Sequence, residues 1–89
     1  MSVPTPQLKF ISLDEVLATV PMSKSNIYRK VKSGEFPPYI SFGANSSMFL
    51  KHEIEYYLVS LIHKKDCRET VRELMTVREE LNELVSYPI

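Results

Sequence analysis

MSKSNIYRKVKSGEFP, Met22 to Pro37, carries four basic side chains (Lys24, Arg29, Lys30 and Lys32) before its first acidic one, Glu35, in an 89-residue chain of zero formal net charge. The stretch also carries its own punctuation. Ser23 is a good N-cap, Met22 and Ile27 stand at the spacing of a hydrophobic staple, and Gly34 most readily takes the left-handed conformation that closes a helix. A helix from Lys24 to Ser33 is therefore predicted. At about 100° per residue from Ile27, Val31 and Lys24 lie within about 60° of it, while Lys32, Ser25 and Arg29 fall at roughly 140°, 160° and 200°. Tyr28 and Asn26, at roughly 100° and 260°, flank that polar side, where a phenol and an amide can bond bases or phosphates. A solvated helix face is the plain alternative, and the neighbouring sequence has to decide between them.

Upstream, Ser12 and Glu15 form a capping box, with Ile11 and Val16 as its staple, so a first helix runs from Ser12 to about Thr19. Pro21 disfavours helical geometry at Val20 and ends it. Two helices joined by a turn of about three residues are the skeleton of a helix-turn-helix. Residues 1–8, with Pro4 and Pro6 and no apolar period, read as an N-terminal arm. Downstream, PPYISF reads as an edge strand, GANS as a turn and SMFL as the returning strand of a hairpin. A third helix, about His52 to Lys64, presents Ile54, Tyr57, Leu58, Leu61 and Ile62 at helical spacing. The order is helix, helix, hairpin, helix. The expected fold is thus mainly α with a small β-hairpin: a winged helix-turn-helix over residues 9–65.

Residues 66–89 form a second kind of segment. Cys67, Leu74 and Leu81 are seven apart, as are Thr70, Val77 and Leu84, with Val71, Met75 and Val85 widening the stripe. An amphipathic helix from about Arg68 to Ser86 follows. Two uses are open to it: a homodimer seam through Leu74, Val77, Leu81 and Leu84, which is preferred, or packing back onto the winged core. Charge divides at the same boundary. Residues 1–65 hold eight basic against five acidic side chains, and the remainder holds three against six. That asymmetry points the first part toward an anionic partner.

Other chemistry is sparse. A single cysteine, Cys67, cannot close an internal disulfide, and His63 with Cys67 lacks further metal ligands, so neither metal nor cofactor is expected. Tyr56 and Tyr57 have no accompanying arginine and histidine cluster that would make either a nucleophile. The two glycines are explained by turns, which leaves none for a phosphate loop. No enzyme activity is expected. No run of eighteen apolar residues or basic leader occurs, so a cytoplasmic, nucleoid-associated protein without membrane contact is anticipated.

The run from Ser12 to Ile62 resembles the AlpA family of phage and prophage regulators, which is similar to MerR-type and excisionase winged-helix domains. Ser23, Ser25, Ile27, Tyr28, Arg29, Lys32, Gly34, Phe36 and Pro37 match the family's pattern. Gly43 matches its wing glycine, Phe49 stands where tryptophan is common, and EIEYYL resembles the segment that follows. The wing departs from the pattern. Asn45 and Ser46 occupy a turn where arginine is usual, and Leu50 replaces a second arginine. The resemblance implies binding of double-stranded DNA by the helix Lys24 to Ser33 in the major groove, for transcriptional control. It implies alternatively an excision factor that assists an integrase; a protein-binding adaptor is a further alternative. On that basis Arg29 is the candidate for guanine and Asn26 for adenine. Lys24, Lys30, Lys32, Ser23 and Ser25 are candidates for phosphate, with Tyr28, Asn45 and Ser46 at the edges. An integrase or RNA polymerase would be the protein partner.

Overall fold

A computed structural model describes residues 8–44 and 46–84, with side-chain surroundings given through residue 80. Within it β1 (Phe10–Ser12) leads directly into α1 (Leu13–Thr19), and a short turn leads to α2 (Lys24–Ser33). The wing follows as β2 (Ile40–Ser41) and β3 (Ser47–Leu50), then α3 (Lys51–Ile62) and α4 (Cys67–Leu84). This is a winged helix-turn-helix extended by one helix. Asn45 and most of the expected N-terminal arm lie outside the described residues.

Local chemistry sets the helix-turn-helix. Ser12 Oγ accepts from the Glu15 amide at 3.2 Å while the Glu15 carboxylate accepts from the Ser12 amide at 3.3 Å, completing the capping box. Val20 is extended, as the following Pro21 requires. Ser23 Oγ accepts from the Asn26 amide at 3.2 Å to start α2. At its other end Gly34 takes φ 78°, its amide donating to Val31 O and that of Glu35 to Lys30 O at 2.8 Å. Both bonds of a Schellman closure are present.

The sheet corrects the expected two-stranded hairpin. Residues 10–12 form a third strand, giving the order β1-β3-β2 with β3 in the middle, where Ile11 pairs with Phe49 and Ile40 with Met48. Three residues carry too little alternation to be read as a strand, and their partner lies far away in sequence. Pro37 and Pro38 have no amide hydrogen to offer a ladder, so β2 is short and sits at the edge.

Val16, Ile27, Phe36 and Tyr57 are fully buried, with Phe49 and Ile54 nearly so. The Phe36 ring lies 4.8 Å from Tyr57 and 5.9 Å from Phe49, centroid to centroid, the Phe49 contact edge to face. The Tyr57 hydroxyl donates to Glu35 O at 3.0 Å, so α3 holds the residue that follows α2's closure. Ile62 leaves the expected apolar stripe: it is 76% exposed, because α3 ends there. His63 closes that end, and Lys64 turns the chain at φ 55°.

The fourth helix folds back against α3, burying Thr70, Val71 and Leu74. Leu74 is therefore removed from the expected dimer seam, spent inside its own chain, and Val77 is half-buried. The side chains of Leu81 and Leu84 lie outside those described. Farther along α4, Arg78 reaches the nearly solvent-free Glu53 of α3 through Nε and Nη2, both at 2.6 Å, and donates from Nη2 to Pro38 O at 2.7 Å. A forked cation thus ties α4, α3 and the base of the wing together.

Removing one member of such a pair strands the other in a dry site. Arg78→Ala should lower the unfolding free energy by about 3 kcal/mol, read by urea denaturation. A loss below about 1 kcal/mol would show that water reaches Glu53 without the arginine.

Candidate nucleic-acid interface

Ile27 has no exposed surface, and its burial fixes the rotation of α2 about its axis. The opposite side must then face out, and Ser25, Arg29 and Lys32 on it are exposed, as is Lys24 at the start of the helix. Asn26 is half-buried beside them. Its side-chain oxygen accepts from Arg29 Nη2 at 2.5 Å, which holds the guanidinium along the helix and leaves both hydrogens of the Asn26 side-chain amide available to other acceptors. The two residues expected to read bases are thus already organised as a pair.

Other expected residues divide. Ser23 uses its lone pair as the helix cap. Lys30 is half-buried and belongs to the C-terminal shoulder of the helix with Ser33 and Glu35, away from Arg29 and Lys32. There the Ser33 hydroxyl donates to the Glu35 carboxylate at 2.7 Å and holds it below the usual carboxylate range, helped by the charges of Arg68 and Lys30. Tyr28 is 37% exposed.

One neighbour escaped the sequence reading. Tyr39, just before β2, meets the Tyr28 ring edge to face at 5.8 Å and Phe49 at 6.1 Å. Tyr28, Arg29, Val31, Lys32 and Tyr39 line an open, mostly apolar hollow between α2 and the wing. Nothing local in the sequence marks it, since the contact joins two segments through tertiary packing.

The wing itself is neutral. No lysine or arginine lies between Pro38 and Leu50. Ser46 is exposed, and Gly43 turns the chain at φ 136°. Phe42, where β2 enters the turn, packs edge to face with Phe10 of β1, centroids 5.0 Å apart.

The tyrosines of α3 are structural. Burial, with the hydrogen bond to Cys67, raises the Tyr57 hydroxyl well above its ordinary pKa, so it stays protonated and donates. Tyr56 donates to Glu73 at 3.1 Å, and Glu73 also pairs with Lys65. Among the described residues no group of three His, Cys, Asp or Glu side chains could hold a metal, and no helix is long and apolar enough to cross a membrane.

The family model of the prophage CP4-57 regulatory protein (AlpA) matches residues 9–60. The uncharacterized protein ORF88 of Enterobacteria phage P4 is 32% identical over 56 residues. That alignment covers 63% of this chain and 64% of the phage protein, just under two thirds of the relative's length. No solved structure matches. The family match takes in β1 through most of α3 and stops short of α4.

Because Glu35 titrates lower in the folded chain than its ordinary 4.5, its contribution to stability is present above that pH and is lost as pH falls through the folded value. Ser33→Ala should raise the Glu35 pKa toward 4.5, measured by NMR titration of its side-chain carboxyl; an unchanged value would assign the shift to Arg68 and Lys30 alone.

Proposed function

We propose, from the premise that the chain belongs to the AlpA family of phage regulatory proteins, that it regulates by binding specific sequences in double-stranded DNA, with α2 in the major groove. The observation that supports this most is the rotation of α2: full burial of Ile27 turns Ser25, Arg29 and Lys32 outward on one side. Helix-turn-helix proteins read base edges from the amino-terminal part of the second helix, where Asn26 and Arg29 stand.

Arg29 is suited to guanine, whose O6 and N7 accept two parallel bonds, and Asn26 to adenine. Their mutual hydrogen bond holds the two side chains together on one turn of α2. Lys24 and Lys32, long and flexible, suit phosphates as point charges, and Ser25 adds a hydroxyl near the positive end of the helix. Lys30 on its separate shoulder is a weaker candidate than the sequence implied. The neutral wing, including Ser46, can offer hydrogen bonds but no ionic attraction, so α2 carries most of the affinity. Pairing of two chains is a separate proposal that now rests on Val77, Leu81 and Leu84 without Leu74.

Two substitutions separate the roles, measured by fluorescence anisotropy against a selected site and altered sites over a salt series. Arg29→Ala should cost about 1 to 3 kcal/mol on the preferred site and flatten the preference at one base pair. Lys32→Ala should weaken all duplexes alike and reduce the salt slope by about one. Indifference to both would move the interface off α2.

A further inference from the structure

We propose that Tyr39, together with Tyr28 and Lys32, forms a seat for the sugar–phosphate backbone of the DNA strand that passes between α2 and the wing. The inference rests on the DNA-binding reading above and assigns a role to a residue outside the recognition helix.

Three observations carry it. The first is the chemistry of the hollow. Val31 and two tyrosines line it together with the cationic side chains of Arg29 and Lys32. A mostly apolar hollow that also holds cations suits a ligand that alternates apolar rings with anions, as deoxyribose alternates with phosphate. The second is the state of the phenols. Those of Tyr56 and Tyr57 are bonded within the protein, whereas those of Tyr28 and Tyr39 find no such partner among the described residues. Each is 37% exposed and can donate to a phosphate oxygen.

The third is rigidity. Tyr39 is held edge to face by Tyr28 on one side and by the buried Phe49 on another. Pro37 and Pro38 restrict the backbone leading to it, and Arg78 grips the Pro38 carbonyl at 2.7 Å. A donor fixed in this way loses little freedom on binding. Position agrees with this role. With Ser25 and Arg29 facing the bases, Tyr28 and Lys32 lie about 80° and about 40° around the helix toward Tyr39, on the side where the groove's edging strand would run. A rigid neutral donor there supplies part of what a wing without lysine or arginine lacks.

The test is a cycle between protein and DNA. Tyr39→Phe keeps the ring and its packing while deleting the hydroxyl, and an unchanged urea midpoint will show that the fold is intact. It should weaken binding to an unmodified duplex about three- to tenfold, equally for preferred and altered sequences. Duplexes carrying a single neutral methylphosphonate at successive positions then locate the contact. At one position the modification should weaken wild-type binding and abolish the Tyr39→Phe penalty; Tyr28→Phe should couple to the same or the adjacent phosphate. Wild-type affinity in Tyr39→Phe, or a penalty identical on every modified duplex, overturns the seat while leaving α2 recognition standing if Arg29→Ala still relaxes base preference. Failure of the wild-type protein to bind any duplex would instead overturn the DNA-binding reading itself.

Discussion

What faces outward on α2 does so because Ile27 faces inward. A ten-residue helix cannot turn about its axis once one side chain is locked among Val16, Val20, Phe36 and Tyr57, for turning would expose that side chain and open a void. The ends are fixed independently, by the Ser23 cap and by the Gly34 closure. Neither position nor rotation is left over. The face bearing Ser25, Arg29 and Lys32 is consequently presented rather than merely exposed, which is the condition a groove-reading helix must meet.

The second constraint is the forked contact of Arg78. Glu53 is nearly solvent-free, and a carboxylate there would be costly without an ionic, hydrogen-bonded partner. Arg78 supplies both, and its remaining reach to Pro38 O fixes the loop from which Tyr39 and the wing depart. The arginine belongs to α4, beyond the segment that matches the family, whereas the carboxylate lies within it. In this chain α4 is thus a brace that ties α3 to the start of the wing. Thr70, Val71 and Leu74 are its buried side chains, Glu73 ties it to Tyr56 and Lys65, and Glu69, Glu79 and Glu80 are exposed.

Much of this was legible in the sequence, and the boundary of legibility is physical. The second helix was readable to the residue and the first to within one, because caps, staples and the left-handed glycine act within four or five positions of one another. β1 was not, since its pairing with β3 spans nearly forty residues and three residues show no period. Helix α3 ends at Ile62, two residues before Lys64 turns the chain in left-handed geometry, where no glycine announced the end. Of the stripe in α4, Thr70, Val71 and Leu74 are buried, but a stripe at that spacing packs equally well on a sister helix or on α3, and Leu74 packs within its own chain. Glu53 had a signal that went unread: it lies four before Tyr57 and seven before Ser60, in phase with the buried side of α3, and an acid there demands a cation. For Tyr39 there was none.

The central claim is that nucleic acid is met by the side of α2 opposite Ile27. Backbone amide shifts followed by NMR while a short duplex holding the selected site is added test it most directly. The account predicts the largest changes at Ser25, Asn26, Arg29 and Lys32, with Glu69, Arg72 and Glu80 on the outer side of α4 unmoved. Changes concentrated on α4, with α2 silent, would contradict it.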